Sequence, residues 1–275
     1  MLPDDMLIIR NVPVGKDVRL MPLSDVHVGS KEFSESLFLK WCENIKPDDL
    51  IVLVGDLMDN SIKNSVGNPY EATMSPIAQR KYLYEHLKEF AENNQILCSV
   101  GGNHDSARNR REVDDDPNYS LMCLLGCEDV YRSRGCFVKL RFNEDGKNRE
   151  KQFSKYRPTY NIAVLHGSSN GMYVSTSGAK AERYAMSISN CDLLISGHTH
   201  KPLSFGSARL FFPDNSAKTM QKRQTTIVVC SSFLNKVGGY AMEKMLPVTP
   251  SAMQEIHLSA YGKGIKVIQS TVGEG

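Results

Sequence analysis

The sequence lacks several features that would assign a protein to a functional class at once. Its 33 basic and 31 acidic residues nearly cancel, leaving a formal net charge of +2. This balance indicates neither a strongly basic nucleic-acid surface nor an acidic tail, although a local basic patch remains compatible with it. No apolar run approaches the ~20 residues needed to cross a bilayer. The chain also has no internal repeat and no low-complexity segment.

The cysteines and the first residues both favour a reducing compartment. Residues 1–5 have neither the basic start nor the apolar core of a signal peptide. Cys98 and Cys230 lie within apolar runs, where a reduced thiol behaves as a small hydrophobic side chain. We therefore expect a cytoplasmic protein with buried free thiols and no membrane contact. A zinc cluster is the alternative for three closely spaced cysteines, whose spacing matches no standard zinc site: Cys123, Cys127 and Cys136.

Short apolar runs alternate with helical patterns, which predicts an α/β protein. Apolar residues recur every fourth position from Phe33 to Ile45 and predict a helix, and Ser75-Pro76 is typical of the start of a second one. A third helix is expected over 181–188. The apolar runs, rich in valine and isoleucine, are typical of strands buried on both faces; they span residues 20–23, 50–54, 96–100, 162–165, 193–195 and 226–230.

The last quarter of the chain has a different pattern. Residues 255–261 and 264–270 are predicted strands, and Gly262-Lys263 between them suits a hairpin turn that completes a second sheet. We expect one domain over residues 1–275. Three polar segments are predicted surface excursions, either a rim around a cleft or simple connections: 61–75, 143–158 and 206–224.

Short polar clusters follow the predicted strands and contain five of the 7 histidines. Carboxylate, imidazole and amide oxygen are the ligand types that divalent first-row metals take. Because the carboxyl ends of parallel strands meet at one edge of a sheet, the clusters are expected to form one site. The pattern favours a metal-dependent hydrolase. The clusters are Asp25-Val26-His27, Gly55-Asp56 with Asp59 beyond it, Gly102-Asn103-His104-Asp105, His166-Gly167 and Gly197-His198-Thr199-His200.

These residue types suit a pair of metal ions. A carboxylate can bridge two cations, which makes Asp56 the natural shared ligand, and His198 and His200 can serve different ions. Two ions ~4 Å apart would hold a bridging hydroxide and clamp a phosphoryl group for in-line attack. His104, not needed as a ligand, is placed to protonate a leaving oxygen. Asp105 is expected to hold the tautomer of His104.

Taken in order, these motifs resemble those of the calcineurin-like metallophosphoesterase superfamily. Asp-x-His, Gly-Asp-x-x-Asp, Gly-Asn-His-Asp, an isolated histidine and Gly-His-x-His all occur between residues 25 and 200. The resemblance implies an α/β (α+β) fold, a four-layer αββα sandwich of two mixed sheets flanked by helices. It also implies two divalent ions, with manganese expected first and iron, zinc, nickel or cobalt as alternatives.

The resemblance further implies a role for each motif residue. One ion would be held by Asp25, His27, Asp56 and His200. The other would be held by Asp56, Asn103, His166 and His198. His104 would be the catalytic acid or a phosphate contact, with Asp105 in support.

Departures from the protein phosphatase pattern bear on the substrate. The second motif continues as Asp56-Leu57-Met58-Asp59-Asn60, without the Asp-Arg-Gly usual in Ser/Thr phosphatases. Gly-Asn-His-Asp is similar to the form in double-strand-break repair nucleases and cyclic-nucleotide phosphodiesterases. An alkoxide leaving group benefits most from a positioned acid, so retention of His104 favours phosphodiesters of nucleic acid or nucleotides. A phosphomonoesterase or protein phosphatase is the alternative, and a non-catalytic scaffold is the third.

The sequence leaves alternative roles for several residues near the motifs. Asp59 either supports the metal ligands or caps the following turn. Three arginines after the third motif either steer phosphate or form a solvated charged face, the preferred interpretation: Arg108, Arg110 and Arg111. His86 and His257 are not assigned to the site, and the sequence does not predict an oligomeric state.

Overall fold

The computed structural model describes residues 6–62, 69–144, 157–168, 173–213, 219–235 and 251–271. Within these ranges the strands are β1 (Leu7–Pro13), β2 (Val18–Leu23), β3 (Leu50–Leu53), β4 (Ile96–Val100), β5 (Tyr131–Arg132), β6 (Cys136–Glu144), β7 (Thr159–Leu165), β8 (Leu193–Ser196), β9 (Leu203–Phe211), β10 (Gln221–Val229), β11 (Ala252–Leu258) and β12 (Ile265–Thr271). The α-helices are α1 (Glu35–Glu43), α2 (Pro76–Glu92), α3 (Arg108–Val113), α4 (Pro117–Leu124) and α5 (Val174–Met186).

The strands form two 6-stranded mixed sheets. Sheet A has the order β1-β6-β7-β8-β10-β9, and sheet B has the order β12-β11-β2-β3-β4-β5. Strands β2, β3, β4 and β5 run parallel in sheet B, and β7, β8 and β10 run parallel in sheet A. Each sheet therefore has a parallel centre, and the carboxyl ends of these strands are where a site is expected.

Apolar packing arranges the elements in four layers. Side chains from both sheets fill the central core, with Val52 and Val100 of sheet B packed among Ile162 and Ile195 of sheet A. Helices α1, α2 and α4 cover the outer face of sheet B, and α5 covers the outer face of sheet A through small buried side chains such as Ala181. The predicted αββα sandwich is confirmed.

Several local predictions are also confirmed. Helix α2 begins where the sequence indicated, because the hydroxyl of Ser75 accepts the N–H of Ala78 at 3.3 Å. The predicted terminal hairpin is the antiparallel pair β11 and β12, and β11 pairs with β2, so the hairpin extends sheet B. In the described part of the chain, no helix combines the length and apolarity needed to cross a membrane.

Two predictions are corrected. The segment 206–224 is not a surface excursion, because much of it lies in the antiparallel pair β9 and β10 at the edge of sheet A. Its polar, exposed side chains match an edge strand as well as a loop. All 7 cysteines are free, but Cys123 is exposed, and Cys42 and Cys127 are only partly buried. Residues 63–68 and 145–156, within the other two predicted excursions, lie outside the described residues.

Candidate metal centre

The loops after β2 and β3 place three site residues at the carboxyl edge of sheet B. The main-chain ladder continues beyond the strands, with N–H groups of Asp25 and His27 donating to carbonyl oxygens of Gly55 and Asp56, each at 3.0 Å. Asp25, His27 and Asp56 adopt left-handed conformations, with φ of 53°, 51° and 51°. Val26, between the first two, is fully buried, so the chain alternates between core and site.

The loop after β4 is a short π-helix over Asn103–Ala107, and it interlocks with the loop after β3. The N–H of His104 donates to Oδ1 of Asp56 at 2.7 Å. In return, the carboxylate of Asp105 accepts the N–H of Leu57 at 2.8 Å and that of Gly102 at 2.9 Å. Each loop therefore supplies an N–H group that fixes a carboxylate of the other.

Three histidines of sheet A complete the site. Nδ1 of His166 donates to the carbonyl of Val54 at 2.8 Å, which turns Nε2 towards Asp56 Oδ2 at 3.1 Å. His198 Nδ1 lies 2.7 Å from Asn103 Oδ1, and the His198 N–H donates to Asp25 at 2.9 Å. His200 Nε2 lies 3.2 Å from Asp25 Oδ1.

All seven predicted metal ligands therefore converge at one place between the two sheets. Three groups have potential ligand atoms that all lie within 4.8 Å of one another: Asp25 with His27 and His200; His27 with Asp56 and His104; and Asp56 with His166 and His198. The first and third groups fall within the two predicted ligand sets. Asp56 belongs to the third group, and the second group joins it to His27 of the first. The donor chemistry fits two divalent cations that share one carboxylate.

A family model described as calcineurin-like phosphoesterase matches residues 18–202. The matched segment starts in β2 and ends just after His200, so it spans every motif and more than half of the chain. The chain is a calcineurin-like phosphoesterase. A search of curated proteins finds no match. Membership of this family makes the protein a metal-dependent phosphoesterase that acts on phosphate esters, and the clustered side chains are its candidate metal site.

The electrostatics of the phosphoesterase site favour ionised carboxylates. Burial alone would raise the pKa of Asp56, but the rings of His166 and His104 more than offset it, so the pKa lies well below its usual range. The same balance, with His200 as the main opposing group, lowers the pKa of Asp25. Burial lowers the pKa of His27, which favours the neutral ring that a metal ion requires.

His166 is the exception among the histidines. Burial alone would lower its pKa, but the neighbouring Asp56 carboxylate outweighs burial and raises the pKa to about 10. Without a cation, a protonated His166 therefore balances the charge of Asp56. Binding of a divalent ion at these two residues must release that proton.

The predicted partner of the His104 ring is wrong. Both oxygens of Asp105 bind main-chain N–H groups, and its pKa rises to about 7, chiefly because the carboxylate is buried and secondly because Asp56 is near. Asp59 takes the expected place, with Oδ1 3.4 Å from Nδ1 of His104 and 3.8 Å from Nδ1 of His27. The sequence signal was the Gly-Asp-x-x-Asp spacing, which placed Asp59 nearby but could not tell it from a turn cap.

The remaining candidates lie elsewhere. His86 lies on α2 and packs against Tyr82 of the same helix and Phe38 of α1, and His257 lies on β11 beside Glu255, so neither reaches the site. Within the described residues, none of the candidate metal groups contains a cysteine, in agreement with free thiols.

Proposed function

We propose that the chain is a dinuclear metal-dependent phosphodiesterase that cleaves nucleic acid or nucleotides. The family supports phosphate ester hydrolysis, and the shared carboxylate of Asp56 supports two ions. The preference for diesters is carried by one observation, the contact of His104 with Asp59 at the margin of the ligand cluster. The sugar alkoxide released from nucleic acid or a nucleotide is a poor leaving group, which a positioned acid must protonate.

The residues divide between two cations as the resemblance implied. Asp25, His27, Asp56 and His200 would hold one ion, and the other would be held by Asp56 with three residues of the remaining loops: Asn103, His166 and His198. Bound divalent ions would supply Lewis acidity, which activates water and offsets the negative charge of the phosphate. Manganese is proposed first, as the resemblance implied, with iron, zinc, nickel or cobalt as alternatives, because a set that mixes oxygen ligands with four imidazoles suits all of them.

His104 is the proposed proton donor. Its distance to His27 and Asp56 would also allow metal binding, so distance alone does not separate it from the ligands. Its hydrogen bonds do, because Nδ1 faces the carboxylate and the carbonyl oxygen of Asp59. That arrangement leaves Nε2 for a substrate oxygen. Asp59 also favours the protonated ring, since the pKa of His104 is raised by Asp56 and Asp59 despite burial.

Hydrolysis of paired substrates tests this function. Protein loaded with manganese should cleave bis-p-nitrophenyl phosphate faster than p-nitrophenyl phosphate, and a chelator or Asp56→Asn should abolish both reactions. His104→Ala should lose about 100-fold or more on a dinucleotide, whose alkoxide is a poor leaving group. Faster turnover of p-nitrophenyl phosphate than of bis-p-nitrophenyl phosphate would instead assign a phosphomonoesterase. In that case His104→Ala should slow the hydrolysis of these two substrates equally.

The natural substrate can then be sought among four classes: single-stranded DNA, RNA, cyclic nucleotides and dinucleotides. We also propose that the 275 residues form one metallophosphoesterase domain that works in the cytoplasm. The free thiols support a reducing compartment. Fractionation of the native cells with an antibody to the protein would test the location.

A further inference from the structure

Arg108, the first residue of α3, makes different contacts from the arginines that follow it. Arg111 forms an exposed ion pair with Glu112 at 2.9 Å. Nη2 of Arg108 instead donates to the main-chain oxygens of Asp59 at 3.0 Å and Asn60 at 2.9 Å, and it lies 3.5 Å from that of His104. Arg108 therefore joins the segment that carries Asp59 to the turn that carries His104.

The segment with Asp59 and Asn60 needs such support. It belongs to no helix or strand, and Asn60 has a left-handed φ of 42°. The N–H of Asp59 donates to Val28 and the N–H of Asn60 donates to Gln79. Arg108 binds the carbonyl oxygens of the same two residues, so it holds the Asp59–Asn60 peptide unit from its other side and the following unit as well.

An arginine at position 108 carries costs that its main-chain contacts must offset. Its Nε–H is buried and finds no hydrogen-bond partner among the described residues, which carries a desolvation cost. Burial also lowers the pKa of Arg108, so the charged form is disfavoured there. A methionine of similar length would fill the same space without either cost. The contacts that only arginine supplies are those to the main chain beside His104.

We propose that Arg108 is a positioning residue that keeps the carboxylate of Asp59 against the ring of His104. This assignment rests on the proposed function, since it takes His104 as the proton donor. Without Arg108 the carboxylate loses its fixed position, and the ring loses its orientation. Substrates with poor leaving groups should then suffer most, because they depend most on the acid.

Kinetics of Arg108→Met test the proposal, with Arg111→Met as the matched control. Both variants remove one positive charge from α3, but only the first removes the contacts to Asp59 and Asn60. On a dinucleotide, kcat of Arg108→Met should fall about 100-fold, while on bis-p-nitrophenyl phosphate it should fall less than about 5-fold. KM should hardly change. Arg111→Met should stay within about twofold of the wild type on both substrates.

Amide hydrogen exchange supplies a readout that needs no turnover. In metal-loaded protein, exchange in a peptide covering residues 57–62 should rise about tenfold or more in Arg108→Met and stay unchanged in Arg111→Met. Unchanged exchange, an equal loss of kcat on both substrates, or a rise in KM alone would overturn the proposal. If the wild type shows no metal-dependent hydrolysis, the proposed function fails, and exchange still decides whether Arg108 holds this segment.

Discussion

Replacement of Gly102 by alanine is a direct test of how the two interlocked loops create the site. A Cβ on Gly102 would lie closer than 3.0 Å to both Oδ1 and the main-chain N of Asp56. The φ of Gly102 is −91°, which alanine adopts freely, so the effect is steric and not conformational. Because one of the atoms is main chain, the loop that carries Asp56 must shift by roughly 1 Å.

That shift should lower the stability of the protein, its metal affinity and its turnover by amounts that can be estimated. Overpacking of this kind costs about 1–3 kcal/mol in the free energy of unfolding. A disturbed neighbour of a metal ligand costs about 10–100-fold in metal affinity, and a misplacement of about 1 Å costs on the order of 100-fold in rate. Since Asp56 is the proposed shared ligand, Gly102→Ala should weaken the binding of both ions together.

The assay is titration of manganese into chelator-treated protein, followed by urea unfolding and turnover measurements. Gly262→Ala is the matched control, because a Cβ on Gly262 meets nothing within 4 Å and its φ lies outside the left-handed region. It should leave both metal affinity and turnover unchanged. Wild-type metal affinity and turnover in Gly102→Ala would refute the close contact of the two loops as the basis of the site.

Three further predictions concern buried and paired polar groups. Asp105→Asn should lower manganese affinity about 10–100-fold in chelator competition, because its amide cannot accept from both N–H groups that Asp105 holds. Tyr160→Phe should lower the free energy of unfolding in urea by about 1–2 kcal/mol and leave metal affinity unchanged, since the hydroxyl contacts three carbonyl oxygens of the β11–β12 turn at 2.7 to 3.0 Å. Burial alone would raise the pKa of Glu255, but Asn44 and Arg19 lower it, so its stabilising effect is present above its ordinary pKa and lost as pH falls. Glu255→Gln should therefore cost about 0.5 kcal/mol at pH 7 in urea unfolding, and the cost should disappear as pH falls through the lowered pKa of Glu255.

The sequence predicted the elements whose environment is uniform. Strands such as β3 and β4 are buried on both faces, so they read as continuous apolar runs. Strand β9 alternates between partly buried and exposed residues at a sheet edge, and the first four residues of β10 are all exposed. Such polar edge strands have the composition of a loop, and only their pairing with each other identifies them.

In the site, too, regular strands were predicted correctly and an irregular turn was not. Strand ends sufficed to predict that the ligands converge, because the carboxyl ends of parallel strands share an edge. They did not suffice to predict which carboxylate meets the ring of His104. The π-helix at Asn103–Ala107 turns Asp105 towards main-chain N–H groups, so the ring of His104 contacts Asp59 instead. A rotation of one residue within an irregular turn has no periodic sequence signal.

Backbone conformation explains why residue propensities do not predict the structure of the loops that carry the proposed ligands. Five of the proposed ligands have positive φ, a conformation that costs roughly 1–2 kcal/mol for a residue with a side chain: Asp25, His27, Asp56, His198 and His200. The conformational preference of each residue therefore opposes these loop conformations. The main-chain ladder and the N–H contacts around the loops must impose them. The loops after β2 and β3 hold one another through main-chain bonds, and the N–H of His198 reaches Asp25 across the two sheets. Because the contacts that offset this strain form only when both sheets are in place, the geometry of the proposed ligands is a property of the assembled sandwich and not of any one motif.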